Sequence, residues 1–257
     1  MAERGEFVWY ELMTTDAEAA KKFYTDVVGW GTAPFEGSPV PYTMWMKGEA
    51  PIGGLMDLPD EARQAGTPPH WLGYVAVPDV DATAKRAKEL GGHVIHGPHD
   101  IPEVGRFAIL ADPQGAVISA FKGTQEMPRE HKDPEPGDVA WHELTTTDWE
   151  AALGFYSELF GWAKQQAMDM GEMGTYQMYG LGERMLGGMY NKTADMPFPP
   201  NWLYYVSTSD VDAAAKKIEK KGGKILTGPM DVPGGGRIVV AQDPQGAAFA
   251  LHQGPKS

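Results

Sequence analysis

The chain has 257 residues, of which 42% are hydrophobic, 22 are Lys or Arg and 35 are Asp or Glu, so its net charge at pH 7 is −13. This composition is typical of a folded globular protein, and the negative charge with scattered basic residues makes nucleic acid a poor candidate partner. The absence of cysteine excludes disulfides, thiolate nucleophiles and Cys-ligated zinc, and the lack of any signal-like or membrane-spanning apolar run leads us to expect a cytoplasmic protein without a membrane partner.

The predicted elements of the first half of the chain follow a simple order. Helices are predicted over residues 17–28 and 80–90, because each segment follows a capping Asp and carries apolar residues at helical spacing. Short strands are predicted around these helices, at 7–13, 42–46, 52–56, 72–77, 94–95, 107–110 and 117–121. The second group has the order strand, helix, three strands, and we expect the same order in the first group, where two of the three strands after the helix are identified.

The second half of the chain repeats the first. Trp9-Tyr10-Glu11-Leu12 recurs as Trp141-His142-Glu143-Leu144, at an offset of 141 − 9 = 132. Other landmarks recur in the same order: Phe23-Tyr24, Gly29-Trp30, Gly53-Gly54, Gly91-Gly92, Gly105-Arg106 and Asp112-Pro113-Gln114-Gly115. Such a repeat predicts two homologous domains, 1–122 and 138–257, joined by a polar, proline-rich linker at 123–137.

These motifs resemble the vicinal oxygen chelate superfamily, which includes glyoxalase I, bleomycin-resistance and fosfomycin-resistance proteins and extradiol dioxygenases. The resemblance rests on Phe-Tyr late in the first helix, Gly-Trp after it, and Asp-Pro-Gln-Gly before the last strand. The Trp-x-Glu-Leu opening and the paired domains are most similar to two-domain actinobacterial glyoxalase-like proteins, which include a mycobacterial culture-filtrate antigen. The resemblance implies an α+β fold, with four βαβββ modules forming two open eight-stranded cups that hold metal and substrate on their inner faces.

The resemblance also implies three metal-ligand positions in each domain, on the first, fifth and last strands. Counted from the helix caps and turns, these positions hold Trp9, Leu72 and Ser119 in the first domain and Trp141, Leu203 and Ala250 in the second. Because divalent metals prefer imidazole or carboxylate ligands, we expect neither a metal nor another cofactor. A one-residue bulge would bring His142 into a ligand position, and this alternative stays open.

Glu11 and Glu143 are the candidate catalytic residues. The two-residue period of a strand puts each on the same face as the Trp two residues before it, and a carboxylate buried beside Trp is either paired or has a raised pKa. Each could pair with the arginine of its domain, Arg106 or Arg237, in a purely structural role, or could serve binding or acid–base chemistry. The candidate ligand-binding residues are Trp9, Tyr74, Arg106, Trp141, Tyr205 and Arg237.

Three kinds of function are compatible with this pattern. The first is the binding of a small metabolite in metal-free cups by a monomer or homodimer. The second is a lyase, isomerase or accessory oxygenase of small-molecule metabolism that uses Glu11 or Glu143 as a general base. The third is a structural or signalling protein whose cups bind no ligand.

Overall fold

The computed structural model describes residues 3–125 and 133–255, so the central part of the predicted linker, residues 126–132, lies outside the described residues. The strands of the first half are β1 (Phe7–Thr14), β2 (Gly31–Pro34), β3 (Thr43–Lys47), β4 (Ala50–Asp57), β5 (His70–Ala76), β6 (His93–Ile101), β7 (Gly105–Ala111) and β8 (Val117–Gly123). The strands of the second half are β9 (Val139–Thr146), β10 (Ala163–Asp169), β11 (Thr175–Leu181), β12 (Arg184–Asn191), β13 (Asn201–Ser207), β14 (Lys224–Asp231), β15 (Arg237–Gln242) and β16 (Ala248–Gln253). The helices are α1 (Ala17–Val27), α2 (Asp60–Gln64), α3 (Val80–Glu89), α4 (Trp149–Phe160) and α5 (Val211–Lys220), with a 3₁₀ turn at Gly171–Met173. No helix in the described part of the chain is long and apolar enough to cross a lipid bilayer.

The strands form two open, mixed sheets of eight strands. Their orders are β2-β3-β4-β1-β5-β8-β7-β6 and β10-β11-β12-β9-β13-β16-β15-β14. Within each four-strand module the first strand pairs in parallel with the last, as β1 does with β4 and β13 does with β16. The predicted α+β fold of repeated βαβββ modules is confirmed. The sequence pattern does not predict β2 or α2, because neither segment contains a buried residue.

The chain divides into two compact units that group the modules differently from the sequence repeat. The first unit contains the described residues of Met1–Val8, Leu72–His131 and Trp141–Trp202. The second unit contains those of Trp9–Trp71, Lys132–Ala140 and Leu203–Ser257. Each unit therefore takes one module from each half of the sequence, and the domain limits at 122 and 138 stay a prediction.

Each of the four longer helices begins after an aspartate that caps it. The side chains of Asp16, Asp79, Asp148 and Asp210 each accept a hydrogen bond from the backbone N–H three residues further on. Such a bond satisfies an N–H that has no partner within the helix, and it stabilises the helix by about 1 kcal/mol. Helix α4 ends at Gly161, whose φ of 78° suits glycine. The predicted helix starts are confirmed.

The Phe-Tyr and Asp-Pro-Gln-Gly motifs meet beneath the helices of the first unit. Trp202 Nε1 donates to Tyr156 Oη at 3.1 Å, and Tyr156 Oη donates to Asp112 Oδ2 at 3.0 Å. Asp112 Oδ1 also accepts the backbone N–H groups of Gln114 and Ala116, both at 2.9 Å. A buried tyrosine of α4 is therefore bonded to the rigid turn before β8.

The second unit repeats this arrangement. The corresponding chain is Trp71 to Tyr24 at 3.0 Å and Tyr24 to Asp243 at 3.1 Å. Asp243 likewise accepts the backbone N–H groups of Gln245 and Ala247. Burial raises the pKa of Tyr24 well above the usual value, with the charge of Asp243 as the next cause, so the phenol remains a proton donor.

Candidate functional site

Strand β1 turns its side chains alternately to the two faces of its sheet. Tyr10 and Leu12 are buried on the helix side, where the ring of Tyr10 packs edge-on against Tyr204 at 5.6 Å. Trp9 and Glu11 lie on the opposite face, which we call the helix-free face. This is the orientation that the two-residue period predicts.

Trp9, Tyr42 and Glu11 are joined on the helix-free face by two hydrogen bonds, and we call this set the Tyr42 chain. Trp9 Nε1 donates to Tyr42 Oη at 3.0 Å, and Tyr42 Oη donates to Glu11 Oε1 at 2.8 Å. Burial, followed by the charge of Glu11, raises the pKa of Tyr42 above the usual value. The phenol therefore stays protonated at neutral pH and donates a hydrogen bond to the carboxylate.

The same arrangement occurs in the first unit, where Trp141, Tyr176 and Glu143 form the Tyr176 chain. Trp141 Nε1 donates to Tyr176 Oη at 2.7 Å, and Tyr176 Oη donates to Glu143 Oε2 at 2.9 Å. Tyr190 stacks against Tyr176 with ring centroids 5.9 Å apart. Burial and the charge of Glu143 raise the pKa of Tyr190 to about 12. Each compact unit therefore carries one Trp, Tyr and Glu chain.

The repeated Gly-Gly doublets make room for these tyrosines. A Cβ on Gly54 would lie 1.8 Å from Tyr42 Oη, and a Cβ on Gly188 would lie 2.1 Å from Tyr176 Cε1. Neither contact is sterically possible, so a larger residue on β4 or β12 would displace the ring. The doublets are thus explained by the close approach of an aromatic side chain to the strand backbone.

Sequence reasoning missed Tyr42 and Tyr176. Their offset, 176 − 42 = 134, equals the offset between Gly53 and Gly187, 187 − 53 = 134. That shared offset was the available signal, because it places both tyrosines in the same repeated hairpin as the glycines. Tyr42 begins the predicted strand at 42–46, whereas in the structure it precedes β3 and follows an irregular segment.

The predicted pairing of Arg106 with Glu11 is wrong. Arg106 Nε and Nη2 donate to Asp81 of α3 at 2.7 and 3.0 Å, and Nη1 donates to Asp100 of β6 at 2.9 Å. The cause is strand alternation, since Arg106 shares a face of β7 with Leu110, which is buried on the helix side. The role of Arg106 in ligand binding stays a prediction.

Arg237 repeats this arrangement in the second unit, and its predicted pairing with Glu143 is wrong for the same reason. Its Nε and Nη2 donate to Asp212 of α5 at 3.1 and 3.0 Å, and its Nη1 donates to Asp231 of β14 at 2.6 Å. Exposed ion pairs of this kind contribute little to stability, because water and salt screen the charges. Both arginines join a helix to an edge hairpin.

Tyr74 and Tyr205 occupy equivalent places in the two units. Tyr74 is buried, and its ring lies 6.2 Å from those of both Phe107 and Phe121. The strand register places Tyr74 beside Ser119 and Tyr205 beside Ala250. The two tyrosines therefore occupy matching register positions, and their proposed contact with a ligand stays a prediction.

The residues at the positions where the resemblance implies metal ligands offer neither an imidazole nor a carboxylate. Leu72, Leu203 and Ala250 carry no donor atom, and Ser119 Oγ donates to Ala108 O at 3.2 Å. The indole N–H groups of Trp9 and Trp141 cannot ligate a metal and are bonded to tyrosines. Within residues 3–125 and 133–255, no group of three His, Asp or Glu side chains is placed to hold a metal.

His142 does not enter a metal position. Its strand, β9, runs beside β12 without a bulge. The ring is buried, its Nδ1 lies 2.7 Å from Leu186 O, and it stacks on Phe7 at a centroid distance of 3.8 Å. The bulge alternative is therefore wrong, and His142 belongs to the packed side of its sheet.

A family model described as the Glyoxalase/Bleomycin resistance protein/Dioxygenase superfamily matches residues 6–119 and, a second time, residues 138–251. The chain belongs to this superfamily. The family expected from the sequence motifs is confirmed, as is its tandem arrangement.

Two curated relatives span nearly the whole chain. The "Putative glyoxylase CFP32" of Mycobacterium tuberculosis is 35% identical over 250 residues, which cover 95% of this chain and 92% of that protein. The anthracycline biosynthesis protein DauV of Streptomyces sp. strain C5 is 31% identical over 261 residues, covering 96% of this chain and 92% of that protein. Among solved structures, a variant of homoprotocatechuate 2,3-dioxygenase from B. fuscum has a TM-score of 0.69 at 16% identity, covering 99% of this chain and 72% of that one. This last likeness shows the fold alone.

Proposed function

We propose that the protein binds a small organic molecule at the helix-free faces that carry the Tyr42 and Tyr176 chains. The observation that supports this proposal is the occurrence, in both units, of a carboxylate beside an indole on a face without helices. Removing a carboxylate from water is costly unless it is compensated. Asp112 and Asp243 hold the backbone N–H groups of a tight turn, whereas Glu11 and Glu143 project from strands beside partly exposed indoles. A ligand site uses such groups, because a few placed polar groups among aromatic walls give orientation and specificity.

We propose further that this binding needs no metal. The support is chemical, since the family positions in this chain offer indoles, aliphatic side chains and one hydroxyl already bonded to a carbonyl. Incubation with zinc, nickel, manganese and iron salts, followed by desalting and elemental analysis, tests the proposal. We expect substoichiometric metal, and one tightly held ion per domain would contradict it.

A second candidate function is acid–base catalysis with Glu11 or Glu143 as general base, as in a lyase, isomerase or accessory oxygenase. It is favoured by the hydrogen bond that each carboxylate accepts from a tyrosine, because this bond holds the carboxylate in one orientation. The relatives named for glyoxylase activity and anthracycline biosynthesis also suggest small-molecule metabolism. For an enzyme, a Glu→Gln variant should bind substrate and lose turnover.

Direct observation of binding separates these candidates from a structural or signalling protein without a ligand. The indole N–H signals of Trp9 and Trp141 report on the two chains in a spectrum of ¹⁵N-tryptophan-labelled protein, and Trp→Phe variants assign them. We expect members of a small-molecule library to shift one or both signals. A library that shifts neither would favour the structural alternative. A cytoplasmic location and a monomeric or homodimeric state belong to the same proposal, and cell fractionation and analytical ultracentrifugation test them.

A further inference from the structure

The hydrogen bonds of the Tyr42 and Tyr176 chains run in one direction only. An indole N–H can donate but not accept, so the tyrosine oxygen of each chain must accept from its tryptophan. The single phenol proton is then directed to the carboxylate, at 2.8 Å from Glu11 and 2.9 Å from Glu143. An ionised carboxylate has no proton to give. Within each chain the indole and phenol protons are therefore both used, and the carboxylate takes part as an acceptor.

Arg106 and Arg237, which the sequence suggests as partners of Glu11 and Glu143, are bonded to other carboxylates and do not neutralise the charge of the two glutamates. The three guanidinium nitrogens of Arg106 donate to Asp81 and Asp100. Those of Arg237 donate to Asp212 and Asp231. The protein as a whole also carries a net charge of −13. An anion approaching either chain is thus repelled by the carboxylate and by the negative net charge.

An aromatic surface accompanies each carboxylate. Trp9 and Trp141 are only partly buried, and their indoles are held by the bond to the tyrosine. Tyr190 extends this surface beside Tyr176. The face of an indole attracts cations and packs against planar apolar groups. The indole and the carboxylate therefore both favour a cationic or planar molecule over an anion.

We infer that each chain accepts a hydrogen bond from its ligand, so that the two sites select neutral or cationic molecules with hydroxyl or amine groups over carboxylates and phosphates. This inference rests on the proposed binding function and adds the chemical class of the ligand. Tyr42 and Tyr176 act as positioning residues, because they hold the carboxylates without offering a donor to the ligand.

Three probes of one ring size test the inference. Phenol, benzylamine and benzoate present a neutral donor, a cationic donor and an anionic acceptor, and each is titrated into ¹⁵N-tryptophan-labelled protein at pH 7. We expect phenol and benzylamine to shift the Trp9 or Trp141 signal with dissociation constants at least tenfold lower than that of benzoate. Benzoate binding as tightly as the other two would overturn the inference and leave the binding function intact. Three probes without effect would overturn both.

Variants then locate the selectivity. The double variant Glu11→Gln and Glu143→Gln replaces each acceptor by an amide that also donates, so the preference for benzylamine over benzoate should fall by tenfold or more. Glu49 and Glu183 are a matched control, because they occupy equivalent exposed turns in the repeat. Replacing both by Gln removes the same charge and should leave the preference unchanged. A loss of preference in the control would assign the selectivity to net charge and overturn the inference.

Discussion

Within the described residues, the bond sequence from Trp N–H to Tyr O–H to a carboxylate occurs on both sides of the sheets. On the helix side the tyrosines, Tyr24 and Tyr156, are 1% and 0% exposed, and their aspartates are also held by backbone N–H groups of a tight turn. On the helix-free face the chains end on glutamates that project from a strand beside partly exposed indoles. The same order of indole, phenol and carboxylate is therefore enclosed by turn and helix on one side, whereas on the other side it forms the site that we propose to bind a ligand.

Equivalent substitutions on the two sides of the sheets should change the free energy of unfolding by different amounts. On the helix side, the loss of one partner leaves a buried donor or acceptor that water cannot reach, which costs about 1–3 kcal/mol per group. On the helix-free face, water can replace the lost partner, and the main consequence should be a change in binding. Matched variants on the two sides test this difference, beginning with the largest expected effect.

Asp112→Ala should lower the free energy of unfolding by about 3–5 kcal/mol, because it removes the acceptor of Tyr156 and of two backbone N–H groups. Urea unfolding monitored by circular dichroism measures the effect. Asp243→Ala makes the same test in the second unit and should give a similar value. A loss below about 1 kcal/mol in both variants would show that these carboxylates do not hold the turns.

Tyr156→Phe should cost about 1–3 kcal/mol, since Asp112 Oδ2 and the indole N–H of Trp202 both lose their bond in a buried place. Tyr176→Phe is the matched variant on the helix-free face, where we expect a loss of less than about 1 kcal/mol. The same unfolding measurement compares them. A larger loss for Tyr176→Phe than for Tyr156→Phe would break the comparison between the two faces.

Gly188→Ala should disrupt the Tyr176 chain by sterics alone, because the new methyl group would overlap the ring of Tyr176. Overpacking of this kind costs about 1–3 kcal/mol, and the Trp141 indole N–H signal should move upfield as its acceptor is displaced. A Cβ on Gly154 in α4 would meet no atom within 4 Å, so Gly154→Ala should leave that signal unchanged. An unchanged Trp141 signal in Gly188→Ala would mean that the doublet has another role.

The sequence predicts the side of β1 on which Glu11 lies, because strand alternation and the neighbouring Trp are local features. It does not predict Tyr42, which reaches the same face from an irregular segment between β2 and β3. The misplacement of Arg106 has a different origin. Equivalent repeat positions suggested a pair with Glu11, whereas alternation with buried Leu110 indicates the helix side. Local periodicity was thus the better guide, and contacts between distant segments required the structure.

Glu11→Gln should leave the melting temperature unchanged or raise it slightly. The amide keeps a similar shape and an oxygen that can accept from Tyr42, and it removes the cost of the buried charge of Glu11, which is 8% exposed. Functional groups often reduce stability, so a small gain would agree with a binding role. Differential scanning calorimetry of Glu11→Gln and Glu143→Gln measures the effect. A loss above about 2 kcal/mol would instead indicate that the charge stabilises the fold.

The smallest expected effect concerns pH and again separates a buried carboxylate from an exposed one. Burial raises the pKa of Asp112 above its usual value, so the folded protein binds this proton more tightly than the unfolded chain does. The contribution of Asp112 to stability is therefore fully present below the unfolded pKa of about 3.9 and is lost as pH rises through the folded pKa. The stability difference between wild type and Asp112→Asn should accordingly be larger at pH 3.5 than at pH 7.

Asp81 supplies the opposite case for this pH experiment. Its hydrogen bond with Arg106 lowers the pKa of the exposed carboxyl, so its contribution is present above the unfolded pKa and is lost as pH falls through the folded pKa. The difference between wild type and Asp81→Asn should therefore shrink from pH 7 to pH 3.5, while that for Asp112→Asn grows. Urea unfolding at the two pH values measures both. Parallel trends in the two variants would show that burial does not control the protonation of Asp112.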